Sequence, residues 1–413
     1  MLALFSLASM CNATHWIQYS IIAHIVAKYY NVSLLLINWT SMIFMAVYIP
    51  LVFPATWLIE RWGLRFAMIT GTVMLCVGAW LKLVTLEPSM FYVALGCQLI
   101  IGSAQMFTLS VPSRLAALWF GHNEVSTACA IGVFGNQVGI ALSFLIPPEV
   151  VHDSNDMEKI KSQLMHLYIA LAAAPTILLI FIIIFFEAKP AKPPSVSQAN
   201  INEKDLKKGY LESMKELLFN KDYMLLTLSY GANVGVFYAY STLLNQLILI
   251  KFEDGQEDAG QIGLSLIVGG MFGAIFWGYI LDKTHKYKAT TLGVYSVALI
   301  GMLGFTFSLH YHSLHLVYIS SAFLGVFMNG YLPIAYEFAA ELTYPIAEST
   351  SSGVLNAVGE LVGVTLVQCA GMLLDNFSDL PTNIMLSIIL GLGFVLCLPI
   401  SGNRLLRLAA CEN

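Results

Sequence analysis

Cys11-Asn12-Ala13-Thr14-His15-Trp16-Ile17-Gln18-Tyr19-Ser20 lies inside an apolar run from Met1 to about Lys28. Tryptophan, histidine, glutamine and asparagine have no packing reason to cluster in such a run. In a lipid-spanning helix, residues of this kind usually face a bundle interior or an aqueous cavity. A second stretch answers the first. A step of 222 from Trp16 reaches Tyr238, inside Asn233-Val234-Gly235-Val236-Phe237-Tyr238-Ala239-Tyr240-Ser241-Thr242. Each half of the chain thus carries an aromatic near the middle of an apolar segment, which predicts a central pocket with one aromatic wall from each half.

Composition sets the class. The 413 residues are 58% hydrophobic and 11% charged, with a mean hydropathy of +0.74, where a soluble domain carries about 25% charged residues. Apolar runs of membrane-crossing length recur, and about 20 residues cross the hydrocarbon as a helix. They are far too long for barrel strands, so the fold expected is all-α, a polytopic membrane protein. Twelve spans are read, at roughly 1–27, 36–59, 66–86, 90–113, 125–147, 163–186, 222–250, 259–281, 289–310, 314–338, 349–374 and 381–402. One long polar connector, 187–221, splits them into an N-terminal six-helix bundle (1–186) and a C-terminal one (222–413). The first run lacks a basic n-region and carries His15, Gln18 and His24, so it reads as a span rather than a signal peptide.

Basic residues set the orientation. With the connector and both termini cytoplasmic, fifteen of the 20 lysines and arginines lie inside. Lys28, Lys82, Lys159, Lys161 and Lys251 lie outside. The outer loops are acidic, and the sequons Asn31-Val32-Ser33 and Asn376-Phe377-Ser378 fall outside, where glycans are added. Asn12-Ala13-Thr14 matches the same pattern but sits too deep in the membrane to be used. The location expected is the plasma membrane.

The two halves repeat. Glu60-Arg61-Trp62-Gly63-Leu64-Arg65 follows span two, and Asp282-Lys283-Thr284-His285-Lys286-Tyr287-Lys288 follows span eight, again 222 apart. At an offset of 224, Gly135 pairs with Gly359, Asn136 with Glu360 and Gly139 with Gly363. Parallel six-helix repeats with a midplane substrate site describe the major facilitator design. The two acidic-then-basic loops resemble that superfamily's signature loop, although a single copy reads equally well as an ordinary positive-inside loop.

Five residues are substrate-contact candidates. Trp16 and Tyr238 present aromatic faces that attract cations by about 2 kcal/mol or more when desolvated, quaternary ammoniums being typical ligands. Taken singly, each is as well explained by helix packing. Gln105 in span four and its counterpart Asn329 in span ten offer hydrogen bonds, against the alternative of interhelical glue. Glu360, in Asn356-Ala357-Val358-Gly359-Glu360-Leu361-Val362-Gly363, is a carboxylate at membrane depth. It is either protonated when the site is empty or balanced by a cation. Near the cytoplasmic ends, Arg114 with Glu337 or Glu341, and Glu60 and Asp282 in the repeated loops, are gating candidates. His15 and His24 stand without metal-ligand spacing and read as hydrogen-bonding helpers. No Walker loop, dinucleotide fingerprint, hydrolase elbow or nucleophile–base pair is present. The sequence therefore points away from an enzyme, and no cofactor, metal or nucleic-acid partner is expected.

Further motifs carry a resemblance over nearly the whole chain. Cys11-Asn12-Ala13, Trp16-Ile17-Gln18-Tyr19-Ser20, Pro112-Ser113-Arg114, Trp119-Phe120-Gly121, Glu124-Val125-Ser126-Thr127-Ala128-Cys129 and Gly135-Asn136-Gln137 in the first half are similar to the feline leukaemia virus subgroup C receptor-related family of major facilitator transporters. Ser241-Thr242-Leu243-Leu244-Asn245, Gly330-Tyr331-Leu332-Pro333 and Glu341-Leu342-Thr343-Tyr344-Pro345 carry the likeness in the second half. The resemblance implies transport of choline and ethanolamine by alternating access. It also brings haem export as an alternative, beside a non-transporting receptor or sensor with the same pocket. It further implies a cation cage in which the family's tryptophan falls on Trp16, its tyrosine on Tyr238 and its span-four glutamine on Gln105. The chain departs from the family at Glu360, usually glutamine, and at His15, usually glutamine. A monomer in the lipid bilayer is expected.

Overall fold

The computed structural model describes residues 1–109, 111–120, 125–190, 210–253, 255–284, 286–344, 346 and 348–401. Among them every regular element is a helix. The chain divides into two compact units. The first comprises Met1–Asn202 with Leu244–Gln246 and Asp254–Gly260; the second comprises Glu203–Leu243, Leu247–Glu253 and Gln261–Asn413.

The first unit opens with α1 (Leu2–Ala13) and α2 (Ala23–Tyr30), separated by Thr14–Tyr19 and a single 3₁₀ turn at Ser20–Ile22. The span expected over 1–27 is therefore discontinuous, and the break falls on His15-Trp16-Ile17-Gln18. Local bonds and neighbouring helices satisfy its backbone. Thr14 N–H donates to Met10 and Trp16 N–H to the Ala13 carbonyl, while Ile17 N–H reaches Ser143 Oγ at 3.1 Å. Non-helical backbone at membrane depth is tolerated only with such partners.

Next comes α3 (Leu34–Leu81), broken at Gly63, whose φ of 80° is open to glycine without strain. The loop expected between spans two and three is thus one residue's turn. Serine caps the start of this helix, Ser33 Oγ accepting from Leu36 N–H. The unit continues through α4 (Phe91–Leu109), the short α5 (Pro112–Trp119), α6 (Val125–Val150) and α7 (Met157–Phe185). On α7, Ile177, Ile180, Ile184 and Phe185 are exposed, as lipid contact requires.

The second unit holds α8 (Tyr210–Phe219), a helix within what the sequence reads as connector, then α9 (Lys221–Leu249) and α10 (Gln256–Thr284). It ends with α11 (Tyr287–His310), α12 (Leu314–Thr343), α13 (Glu348–Asn376) and α14 (Asp379–Cys397). Connector residues 191–209, with Lys192, Lys204, Lys207 and Lys208, lie outside the described residues, as do Glu124, Arg404 and Arg407.

Among the described residues, ten spans are long and apolar enough to cross a membrane. The two expected spans missing from that set are the broken first segment and α9. The first segment falls short in length, its helix ending at Ala13, whereas α9 falls short through its side chains. Along α9, Thr227, Ser229, Asn233, Ser241, Thr242 and Asn245 are all buried, so the helix is polar where it meets protein.

Between helix ends, Lys28 Nζ reaches Asp153 Oδ1 at 2.9 Å and Lys251 reaches Asp379 at 3.3 Å. The Lys28 ammonium holds the Asp153 carboxyl below its ordinary range. Lys82, counted by the sequence reading among the outside basic residues, is 1% exposed and packed inside the first unit.

Candidate functional site

In the second unit the candidates are brought together by close helix packing. Along α9, a Cβ on Gly235 would lie 2.8 Å from Val362 Cγ1, and one on Gly231 would lie 3.1 Å from Val362 Cγ2. On α13, Gly359 faces Tyr230 in return. Absent side chains let α9 and α13 approach, the usual device in lipid, where apolar burial between helices supplies little drive. One turn beyond Gly235, the half-buried Tyr238 donates its hydroxyl to Glu360 Oε1 at 3.1 Å. Glu360 itself is 3% exposed. A turn back along α13, Asn356 Oδ1 accepts from the hydroxyls of Tyr230 at 3.0 Å and Tyr336 at 2.7 Å. The site is thus a buried carboxylate and an amide lined by three phenols. Asn329 does not join them. It is buried on α12 and turned against Gly270 of α10, where an added Cβ would meet Asn329 Nδ2 at 2.2 Å. Its Nδ2 has no hydrogen-bond partner.

In the first unit, Trp16 is 7% exposed on the broken segment. Its carbonyl accepts from Ser41 Oγ at 3.0 Å, and the carbonyl of His15 accepts from Gln98 Nε2 at 3.1 Å. Helices α3, α4 and α6 therefore each anchor one residue of the segment. Gln105 is half-buried on α4 with Oε1 lacking a hydrogen-bond partner.

Behind Trp16 lies a cluster that the sequence reading missed. Lys82 Nζ sits 3.1 Å from His15 Nδ1 and 5.2 Å from the centre of the Tyr19 ring. With lysine donating, Nδ1 accepts and the imidazole proton belongs on Nε2. Nε2 is buried without a hydrogen-bond partner. Both amide atoms of Gln18 and Oε1 of Gln98 are likewise buried without partners. Tyr19 donates to Tyr168 at 2.9 Å, and Tyr30 donates to the Thr85 carbonyl at 2.8 Å. The available signal was a lysine inside the apolar run 66–86, which position alone assigns to the end of the span.

The side chains of Glu60, Arg114 and Asp282 lie outside the described residues. Glu337 is half-buried and Glu341 is 1% exposed, both on α12. Asn31 is exposed at the left-handed end of α2 (φ 53°), and Asn376 is exposed at the end of α13. Asn12 is buried, its amide donating to the Ile101 carbonyl at 3.1 Å.

Residues 4–367 match the Major Facilitator Superfamily. The choline/ethanolamine transporter flvcr2a of Danio rerio is 44% identical over 96% of this chain and 84% of its own length. The human choline/ethanolamine transporter FLVCR2 is 44% identical over 95% of this chain and 75% of its own. Among solved structures, a bacterial homologue of the human lysosomal transporter Spinster, in an inward-facing occupied conformation, superposes with a TM-score of 0.73. It covers 98% of this chain and 97% of that one at 12% identity, which speaks for the fold alone. The chain belongs to the major facilitator superfamily of membrane transporters and, within it, to the feline leukaemia virus subgroup C receptor-related family.

Proposed function

We propose that this transporter carries choline and ethanolamine across the plasma membrane. The observation that carries the reading is the Tyr238 hydroxyl on the buried carboxylate of Glu360. An aromatic face next to an anion suits a small organic cation, because ring quadrupole and carboxylate attract the same charge. The relatives named as choline/ethanolamine transporters support it independently. Trp16 and Tyr238 supply aromatic walls, Gln105 and Asn329 hydrogen bonds, and Glu360 the negative charge. Arg114, Glu337, Glu341, Glu60 and Asp282 serve as gate residues, with both termini cytoplasmic. Haem carries anionic propionates, to which neither the Tyr238 ring face nor the Glu360 carboxyl offers a positive partner.

The test is uptake of labelled choline in cells expressing the chain. Saturable uptake that unlabelled ethanolamine competes away is expected. Trp16→Ala and Tyr238→Ala each reduce it by tenfold or more, on the order of the 1.4 kcal/mol that a cation–π contact readily exceeds when desolvated. Trp16→Phe, which keeps a π face, retains part. Background-level uptake with the protein present at the surface would sink the reading.

A further inference from the structure

Glu360 is a buried carboxylate bonded to a candidate substrate contact, Tyr238. Its carboxylate takes the Tyr238 hydroxyl from α9. The other titratable groups near it are phenols: Tyr230 on α9, and Tyr336 on α12 joined through Asn356 a turn away. Helices α8, α12 and α14 also pack on α13; among the described residues the hydrogen bond to the Glu360 carboxylate comes from the neutral Tyr238 hydroxyl. An ion in this position is costly unless it is neutralised. Two neutralising partners fit the chemistry of the site: a proton on the carboxyl oxygen, or an organic cation against Tyr238. Both cannot be held at full strength, because the cation is drawn to the anion and the proton removes it.

We propose that the protein exchanges one organic cation for one proton through Glu360, so that transport is electroneutral. This rests on the choline reading. With the site empty, Glu360 is the acid, satisfied by Tyr238. As the cation binds, the O–H bond of the carboxyl breaks, the electron pair stays on oxygen, and the proton leaves to the water on the side open to the cation. On the opposite side the cation departs and a proton from that water re-forms the O–H bond. Each cycle moves one positive charge in and one out. Membrane voltage then gives no drive, while a pH gradient does.

Purified protein in liposomes with labelled choline tests this. With a 1-unit pH gradient, acid inside, and no voltage, wild type should accumulate choline about tenfold. With 100 mV, inside negative, and no pH gradient, it should not accumulate choline at all. Glu360→Gln, which cannot hold the proton, should behave in reverse. It should show reduced initial rates, no response to the pH gradient, and accumulation of about fiftyfold under the same 100 mV. Glu360→Asp should preserve the wild-type pattern. Voltage-driven accumulation by wild type that ignores the pH gradient overturns the exchange and leaves choline transport standing. Absence of choline flux under every gradient, with the protein folded, overturns the choline reading and this inference with it.

Discussion

Lys82 is a lysine buried inside the first unit against an imidazole nitrogen of His15 and the face of the Tyr19 ring. Burying a charge without full compensation costs several kcal/mol, and the penalty for breaking a buried pair depends on which member is left behind. Removing His15 leaves an ammonium with only the Tyr19 ring. Removing the ammonium leaves a neutral imidazole with one unmet acceptor, a loss of about 1–3 kcal/mol, partly offset by relief from desolvation. His15→Ala is therefore expected to lower stability by about 3–5 kcal/mol. Lys82→Met, of similar volume, should stay within about 2 kcal/mol of wild type. Thermal unfolding of the two variants in detergent checks the order. A larger loss for Lys82→Met would mean that the ammonium is held by stronger partners than these. The same asymmetry explains why His15, next in sequence to Trp16, points away from substrate chemistry: its ring is committed to Lys82.

At the scale of elements, glycine spacing decides which side chains meet. Gly231 and Gly235 on α9, with Gly359 on α13, let these helices close until Tyr238 reaches Glu360. Gly235→Leu would place a branched side chain where even a Cβ lies 2.8 Å from Val362. Overpacking of this kind costs about 1–3 kcal/mol and forces the helices apart. The expected result is a folded protein with choline uptake reduced at least as far as in Tyr238→Ala, since the hydroxyl–carboxylate contact is lost with the ring's position. Uptake within twofold of wild type in Gly235→Leu would show that this approach does not set the site. The broken first segment follows the same logic in reverse. Ser41, Gln98 and Ser143 bond its backbone from three different helices, so Trp16 is fixed by the elements around it rather than by its own helix.

For the molecule as a whole, topology has a direct readout. Asn31 and Asn376 are exposed at the ends of α2 and α13, whereas Asn12 is buried and bonded to Ile101. The proposed orientation, both termini cytoplasmic, puts the two exposed sequons on the side of the glycosylating compartment. Protein made in mammalian cells should shift on glycosidase treatment. Asn31→Gln and Asn376→Gln should each remove part of the shift and the double variant all of it, while Asn12→Gln should change nothing in glycosylation. Absence of any shift in the unsubstituted protein would contradict the orientation.

The sequence by itself determined the class, the span order and the pairing of Trp16 with Tyr238 across a step of 222. These depend on length, apolarity and repetition, which are one-dimensional properties that a bilayer turns into helices. Most span limits were also legible, α10 to α14 beginning and ending within a few residues of where the hydropathy put them. The rotation of each helix about its axis was not. In lipid a helix is apolar on both its buried and its outer face, so periodicity does not reveal which side meets protein. Only the tertiary structure decided that Glu360 meets Tyr238 while Asn329 turns to Gly270, and that Lys82 folds inward onto His15. It also decided the break at Thr14–Tyr19, because backbone hydrogen bonds surrendered within one helix are stable only when side chains of other helices take them up.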